Sequence, residues 1–216
     1  MNSKNMALVK NKNIVLIIIS LILIMSFILL TFNLKSPALI QINNFVNNLM
    51  VKIQINFIII ISKVLSYLFE TTIVVILSLI FSVYLYLKGR RKESIVFSIA
   101  VVLSTLTVYF FKIMFSIARP SNALVLENDF SFPSGHSSIV VIIFGFFACF
   151  YCKKFTKNKI MIILISIFSI LIVSFSRLYL NVHWFSDVIG GLIIGSFWLL
   201  MSLIFFNKKK VGYYDS

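Results

Sequence analysis

Long apolar runs alternate along the chain with short clusters of basic and polar residues, and this alternation predicts helices of membrane length. The first run, Ile14 to Phe32, follows Lys4, Lys10 and Lys12. It is too long for a secretory signal core and no small-residue A-x-A cleavage pattern follows it, so it reads as an uncleaved first span. Five further spans lie at about Thr71 to Leu87, Ser94 to Phe111, Ser137 to Cys152, Ile160 to Ser176 and Asp187 to Phe206. Runs of this kind suit ~30 Å of hydrocarbon at ~1.5 Å of rise per residue. They leave no stretch for a separate soluble domain. Residues 1–216 are therefore expected to form one integral-membrane domain, all-α, a six-helix transmembrane bundle.

Charge sets the predicted orientation. Lys4, Lys10 and Lys12, then Lys88, Arg90, Arg91 and Lys92, then Lys153, Lys154, Lys157 and Lys159, and finally Lys208 to Lys210 fall on one side of six spans. Retention of Lys and Arg on the cytoplasmic face makes that side the inside, with both termini cytoplasmic in a multi-pass cell-membrane protein. The ambiguous stretch is Ile53 to Phe69, apolar but interrupted by Lys63 and preceded by the Asn-rich Gln41 to Asn48. As a seventh span it would turn the clusters at Lys88 to Lys92 and Lys153 to Lys159 outward. Residues 41–69 are therefore read as an interfacial or re-entrant extracytoplasmic segment.

Composition agrees with a bilayer: 60% of residues are hydrophobic and 12% charged. The net charge of +14 would suit a nucleic-acid binder in a soluble protein. Here cytoplasmic retention of basic residues accounts for it, and no nucleic-acid partner is expected. Cys149 and Cys152 form a C-x-x-C without a second pair or a nearby His, so they are read as ordinary helix residues rather than a zinc site.

Six basic residues remain for the outer side: Lys35, Lys52, Lys63, Lys112, Arg119 and Arg177. The last three belong to three blocks that also hold both histidines of the chain: Lys112-x6-Arg119-Pro120, Pro133-Ser134-Gly135-His136, and Ser176-Arg177-x5-His183-x3-Asp187. All three blocks fall on one predicted face. Three cations at one mouth repel one another unless a multivalent anion lies between them, and two guanidinium forks with an ammonium suit phosphate. Pro133, Ser134 and Gly135 sit where a helix starts, a place that favours an anion, and Gly135 allows close backbone approach. Ser134 is either a hydroxyl donor to the anion or a plain helix cap.

His183 and Asp187, four apart, would share a helix face, so that the carboxylate accepts from one imidazole nitrogen and the other presents a lone pair. That is the arrangement of an oriented nucleophile, here one attacking phosphorus to give a phosphohistidine. His136, opposite, is placed as acid for the departing oxygen and then base for water. A four-residue pattern such as P-S-G-H arises by chance in about one chain per thousand of this length. The third block is as rare, and the two together in order are not accidental.

On these blocks the chain resembles the type 2 phosphatidic acid phosphatase family, whose signature is K-x6-R-P, P-S-G-H and S-R-x5-H-x3-D. Every signature position is filled. The resemblance implies His183 as nucleophile, Asp187 as its orienting partner and His136 as acid/base. Lys112, Arg119, Ser134, Gly135 and Arg177 would bind phosphate. It implies no cofactor and no metal, in keeping with acidic residues too few and dispersed for a two-metal site. The implied reaction is metal-independent hydrolysis of a phosphate or diphosphate lipid at the extracytoplasmic membrane face, with undecaprenyl diphosphate the leading substrate. Phosphatidylglycerol phosphate, phosphatidic acid and phosphorylated lipid A are alternatives.

Two readings of other classes stand beside it. Vanadium-dependent haloperoxidases resemble the same blocks but are soluble. A non-catalytic phospholipid-binding or transport membrane protein would use the cationic mouth without needing two histidines. Glu127 and Asp129, between the first two blocks, either hydrogen-bond a head group or solvate their loop, and solvation is the expectation.

Overall fold

The computed structural model of the chain describes residues 3–154 and 157–211. The side chains of Lys4, Lys10, Lys12, Lys153, Lys154 and Lys208 to Lys210 lie outside the described set, so the charge bias stands as a reading of the sequence. Among the described residues there are eight helices and no strand: α1 (Ser3–Phe32), α2 (Pro37–Lys52), α3 (Asn56–Leu68), α4 (Thr71–Leu87), α5 (Arg91–Phe115), α6 (Gly135–Lys154), α7 (Lys159–Tyr179) and α8 (Phe185–Val211).

By length and composition four helices can cross a membrane: Asn13–Phe32, Arg91–Phe115, Lys159–Tyr179 and Phe185–Phe206. The apolar part of α6, Gly135–Phe150, is shorter. At 13 residues α3 is too short to cross alone, and with α4 it forms a pair bent by 53°. Glu70 makes that break, because its carboxylate accepts from Thr72 N at 2.9 Å and Ile73 N at 3.2 Å and so starts α4 afresh. Large apolar side chains on the outside, among them Leu21, Ile22, Leu29, Ile80, Leu106 and Phe168, show that hydrophobicity here serves the solvent-facing surface as much as the core. That is the pattern of a protein whose solvent is lipid.

The core lies between α4, α5, α6 and α7, around Val74, Leu85, Phe97, Ala100, Ile142, Phe146 and Val173. A second cluster, Phe27, Val108, Phe132 and Ile194, joins α1, α5 and α8 beneath the loop that follows α5. The α6–α8 contact is close because Gly191 and Gly195 stand one turn apart on α8. A Cβ at either would collide with the carbonyl oxygen of Ser134 or Ser138 on the α6 side. Backbones this near fix the start of α6 against the start of α8.

Candidate active site

Residues of the three blocks meet at one end of the bundle. Lys112 lies in the last turn of α5, which stops at Ser116 in a left-handed conformation with φ of 48°. The following loop carries Arg119 and returns through Ser131, whose N–H donates to Ile117 O at 2.8 Å. Ser134 N then donates to Asp187 O at 2.9 Å, tying the P-S-G-H block directly to α8.

His183 does not share a helix with Asp187 as the spacing suggests. It sits in the turn before α8, which opens at Phe185, while Asp187 lies in the first helical turn. The pairing survives because Asp187 also acts as a helix-start acceptor. Its Oδ2 receives Trp184 N at 2.7 Å, His183 Nδ1 at 3.3 Å and the Ser131 hydroxyl. With its proton held on Nδ1, the imidazole turns the Nε2 lone pair toward Arg119 Nη1, 3.2 Å away. The Asp187 Oδ1 atom is buried without a hydrogen-bond partner. Burial, and then the charges of Arg119, Arg177 and Lys112, hold His183 well below the ordinary histidine range, so it is neutral at neutral pH.

The turn is braced by α2. Asn43 Nδ2 donates to Ser186 Oγ at 3.0 Å while its Oδ1 accepts Ser186 N at 3.0 Å. Asn181, at φ 54°, donates to Asn47 O and Oδ1 at 3.1 and 2.5 Å and accepts from Gln54 Nε2 at 2.7 Å. The Asn-rich stretch thus grips the chain on both sides of His183.

The three cations are not bare. Lys112 Nζ lies 2.8 Å from Asp129 Oδ2 and also donates to Phe130 O. Arg119 Nη2 pairs with Glu127 Oε2 at 2.7 Å and with Asp129 Oδ1, and Nη1 donates to Val182 O at 2.7 Å. Arg177, fully buried, reaches Glu127 Oε1 with one guanidinium nitrogen and the Ser66 hydroxyl with another. Glu127 and Asp129, expected to be solvating residues, are therefore ion-pair partners. Buried cations need such partners, because an unpaired charge out of water is costly. Burial alone would raise Asp129, but hydrogen bonding to Lys112 and the charges of Lys112 and Arg119 hold it below the ordinary carboxylate range.

His136, in the first turn of α6, directs Nε2 at the carbonyl of Ser66 at 3.1 Å, so that nitrogen carries the proton. Ser66, near the end of α3, thereby touches both His136 and Arg177. A single serine in an apolar helix gave no signal of this in the sequence. A cavity of about 780 Å³ opens between α3, α5 and the α5–α6 loop. Lys112, Arg119, Gly135, His136 and His183 border it, together with Lys63, Ser66, Glu127 and Asp129. Arg177 and Asp187 stand behind that wall. Ser134 is buried against α8 and accepts Ser137 N at 3.4 Å, the geometry of a helix cap. Among the described residues no group of three or more His, Cys, Asp or Glu side chains is placed to hold a metal.

A family model described as the PAP2 superfamily matches residues 93–210, more than half of the chain and all three blocks. The chain belongs to the PAP2 superfamily. Within it, phosphatidylglycerophosphatase B of Bacillus subtilis is 41% identical over 81 residues, covering 36% of this chain and 40% of that protein. An undecaprenyl-diphosphatase of Sulfolobus acidocaldarius is 34% identical over 126 residues, covering 55% and 58%. The chain thus spans about half the length of the curated relatives it matches. The crystal structure of a transmembrane PAP2 type phosphatidylglycerolphosphate phosphatase from Bacillus subtilis superposes with a TM-score of 0.81 at 23% identity, over 90% of this chain and 98% of that one. That likeness extends the shared fold to the helices before residue 93.

Proposed function

We propose that this PAP2 protein is a metal-independent lipid phosphatase working through a phosphohistidine at His183. The observation that carries the reading is the orientation of His183: Nδ1 is bound to Asp187, and Nε2 faces the Arg119 guanidinium at the wall of the cavity. A phosphate held by Lys112, Arg119 and Arg177 takes Arg119 away from Nε2 and puts phosphorus before the freed lone pair. Nε2 attacks, the bond from phosphorus to the leaving oxygen breaks, and His136 gives that oxygen a proton. Because Ser66 O holds the Nε2 proton of His136, the exchanged proton travels on Nδ1. Burial and the Arg177 charge push the pKa of His136 down to about 3, so it takes that proton from water once the phosphate dianion has bound and offset the neighbouring cations. In the second half His136 takes a proton from water, the hydroxide attacks phosphorus, and the N–P bond electrons return to His183. Asp187 balances the imidazolium character of His183 while it carries the phosphoryl group. Gly135 and the capped turn at Ser134 form the floor beneath the phosphate.

The six-span arrangement has α3 dipping beside the site and the cavity opening extracytoplasmically. The basic clusters at the opposite end of the bundle support it. Undecaprenyl diphosphate is the leading substrate, supported by Lys63 at the cavity wall as a fourth cation for a second phosphate and by the relative named for that activity. Phosphatidylglycerol phosphate is the second reading, supported by the relative 41% identical over 81 residues. The deciding experiment is phosphate release by detergent-purified protein in excess EDTA from these two lipids and phosphatidic acid, with His183→Ala alongside. Release that survives EDTA and vanishes in the variant is the expected result. Folded protein that releases none, yet binds the lipids through Arg177, would make it a binding or transport protein.

A further inference from the structure

Any cationic mouth at a membrane surface has a selectivity problem. Phosphodiester headgroups surround it at high local concentration, and each is an anion that guanidinium and ammonium groups attract. In this chain every carboxylate oxygen of Glu127 and Asp129 is already placed on one of the three cations. Glu127 Oε1 meets Arg177 and Oε2 meets Arg119, while Asp129 Oδ1 meets Arg119 and Oδ2 meets Lys112. The loop is seated from both sides, with Leu124 N donating to Leu180 O at 2.9 Å and Arg119 Nε to Asp129 O at 3.0 Å.

We propose that Glu127 and Asp129 are specificity-determining residues, which set a charge threshold that phosphomonoesters and diphosphates pass and phosphodiester headgroups do not. The identity of the anion rests on the phosphatase reading. The threshold follows from exchange. An incoming phosphate must take the cations from two carboxylates. A phosphomonoester dianion replaces two negative charges with two and offers three non-bridging oxygens, one each for Lys112, Arg119 and Arg177. A diester brings one charge and two such oxygens, leaving a cation uncompensated. Arg177 is wholly buried and the Lys112 side chain is only 9% exposed, so water and salt do little to make up the difference.

The test uses purified full-length protein and two soluble probes at about pH 8, where phosphate is a dianion while dimethyl phosphate stays a monoanion. Affinities are read by calorimetry and thermal shift for wild type and the double variant E127Q/D129N, whose amides keep size but lose charge. Wild type is expected to bind phosphate and discriminate against dimethyl phosphate. The double variant has no carboxylate charge to displace and is expected to gain about 10-fold in affinity for dimethyl phosphate, which wild type keeps below the threshold. If the double variant does not fold, E127Q and D129N singly should each show part of the gain. No gain in dimethyl phosphate affinity in the variants, or equal binding of both probes by wild type, overturns the proposal.

A catalytic arm separates this inference from the reading beneath it. Phosphatidylglycerol added to mixed micelles should inhibit phosphate release from phosphatidic acid more strongly in E127Q/D129N than in wild type. Protein that discriminates between the probes but releases no phosphate from any lipid keeps the threshold and ends the phosphatase reading. Phosphate release with diester inhibition unchanged by the variant ends the threshold and keeps the reading.

Discussion

At the residue scale, the site holds a base neutral beside three fixed cations. Burial does most to disfavour protonated His183, and a fourth positive charge beside Arg119, Arg177 and Lys112 adds to that cost, so it is held well below the ordinary histidine range. As the proposed nucleophile, His183 must be deprotonated, so activity should persist as pH falls through the ordinary histidine range and be lost only below it. The acidic limb of kcat/KM against pH measures this; a limb centred in the ordinary range would contradict it. Lys112→Met removes one repelling cation, so protonation becomes easier and the limb should move to higher pH, besides raising KM. His183→Ala leaves no nitrogen for phosphorus and should cost about a thousandfold or more in kcat, with the fold retained by circular dichroism. That the three blocks meet at one end of the bundle was legible in their residue types and spacing. Glu127 and Asp129 were visible as acids but not as partners, since which carboxylate pairs with which cation is decided by how the loop folds back. Ser66 was not visible at all, because its part is played by a backbone carbonyl and a hydroxyl shared with every other serine in these helices.

Elements hold these residues in register, and two of them do so by contacts that can be broken singly. Gly191 lets α8 approach the start of α6 until a side chain would strike the Ser134 carbonyl. Gly191→Leu should force the helices apart, separating the P-S-G-H turn from the Asp187 backbone that Ser134 N reaches at 2.9 Å. Lower thermal stability and a fall in kcat larger than any change in KM are expected. Normal kcat in this variant would mean that the α6–α8 spacing does not set the geometry. On the other side, Asn43→Ala leaves the buried Ser186 N without its acceptor, a loss of about 1–3 kcal/mol. Denaturation midpoints in detergent check it. The predicted helices at Thr71 to Leu87 and within α1, α5, α7 and α8 were legible because a bilayer demands long apolar runs. The region 41–69 was legible only as polar and apolar halves. Its division into α2 and α3, and the grip of Asn43, Asn47 and Gln54 on the His183 turn, depend on contacts more than a hundred residues away in sequence.

For the whole molecule the question is which way the charged ends point. The helix α6 has 20 residues, so its ends stand about 30 Å apart, with the P-S-G-H turn at one and Lys157 beyond the other. The α5 helix likewise runs from Arg91 to the turn of Lys112. One end of the bundle therefore gathers Lys112, Arg119 and Arg177 around the cavity, while the turns with Lys88, Arg90 and Lys157 lie at the other. The positive-inside rule counts Lys and Arg in short loops rather than net charge, and the far clusters at Lys88 to Lys92 and Lys153 to Lys159 outnumber the three site cations. They oppose the orientation set by the far clusters only weakly. The cavity is thus expected to face outward, and single cysteines test this in a background with Cys149 and Cys152 replaced by serine. Leu126, 94% exposed on the acidic loop, should as Leu126→Cys react with a membrane-impermeant maleimide in intact cells. Lys157→Cys, in the turn between α6 and α7, should react only after lysis. The opposite pattern would put the cavity in the cytoplasm and leave the basic clusters outside, against the rule that oriented the chain.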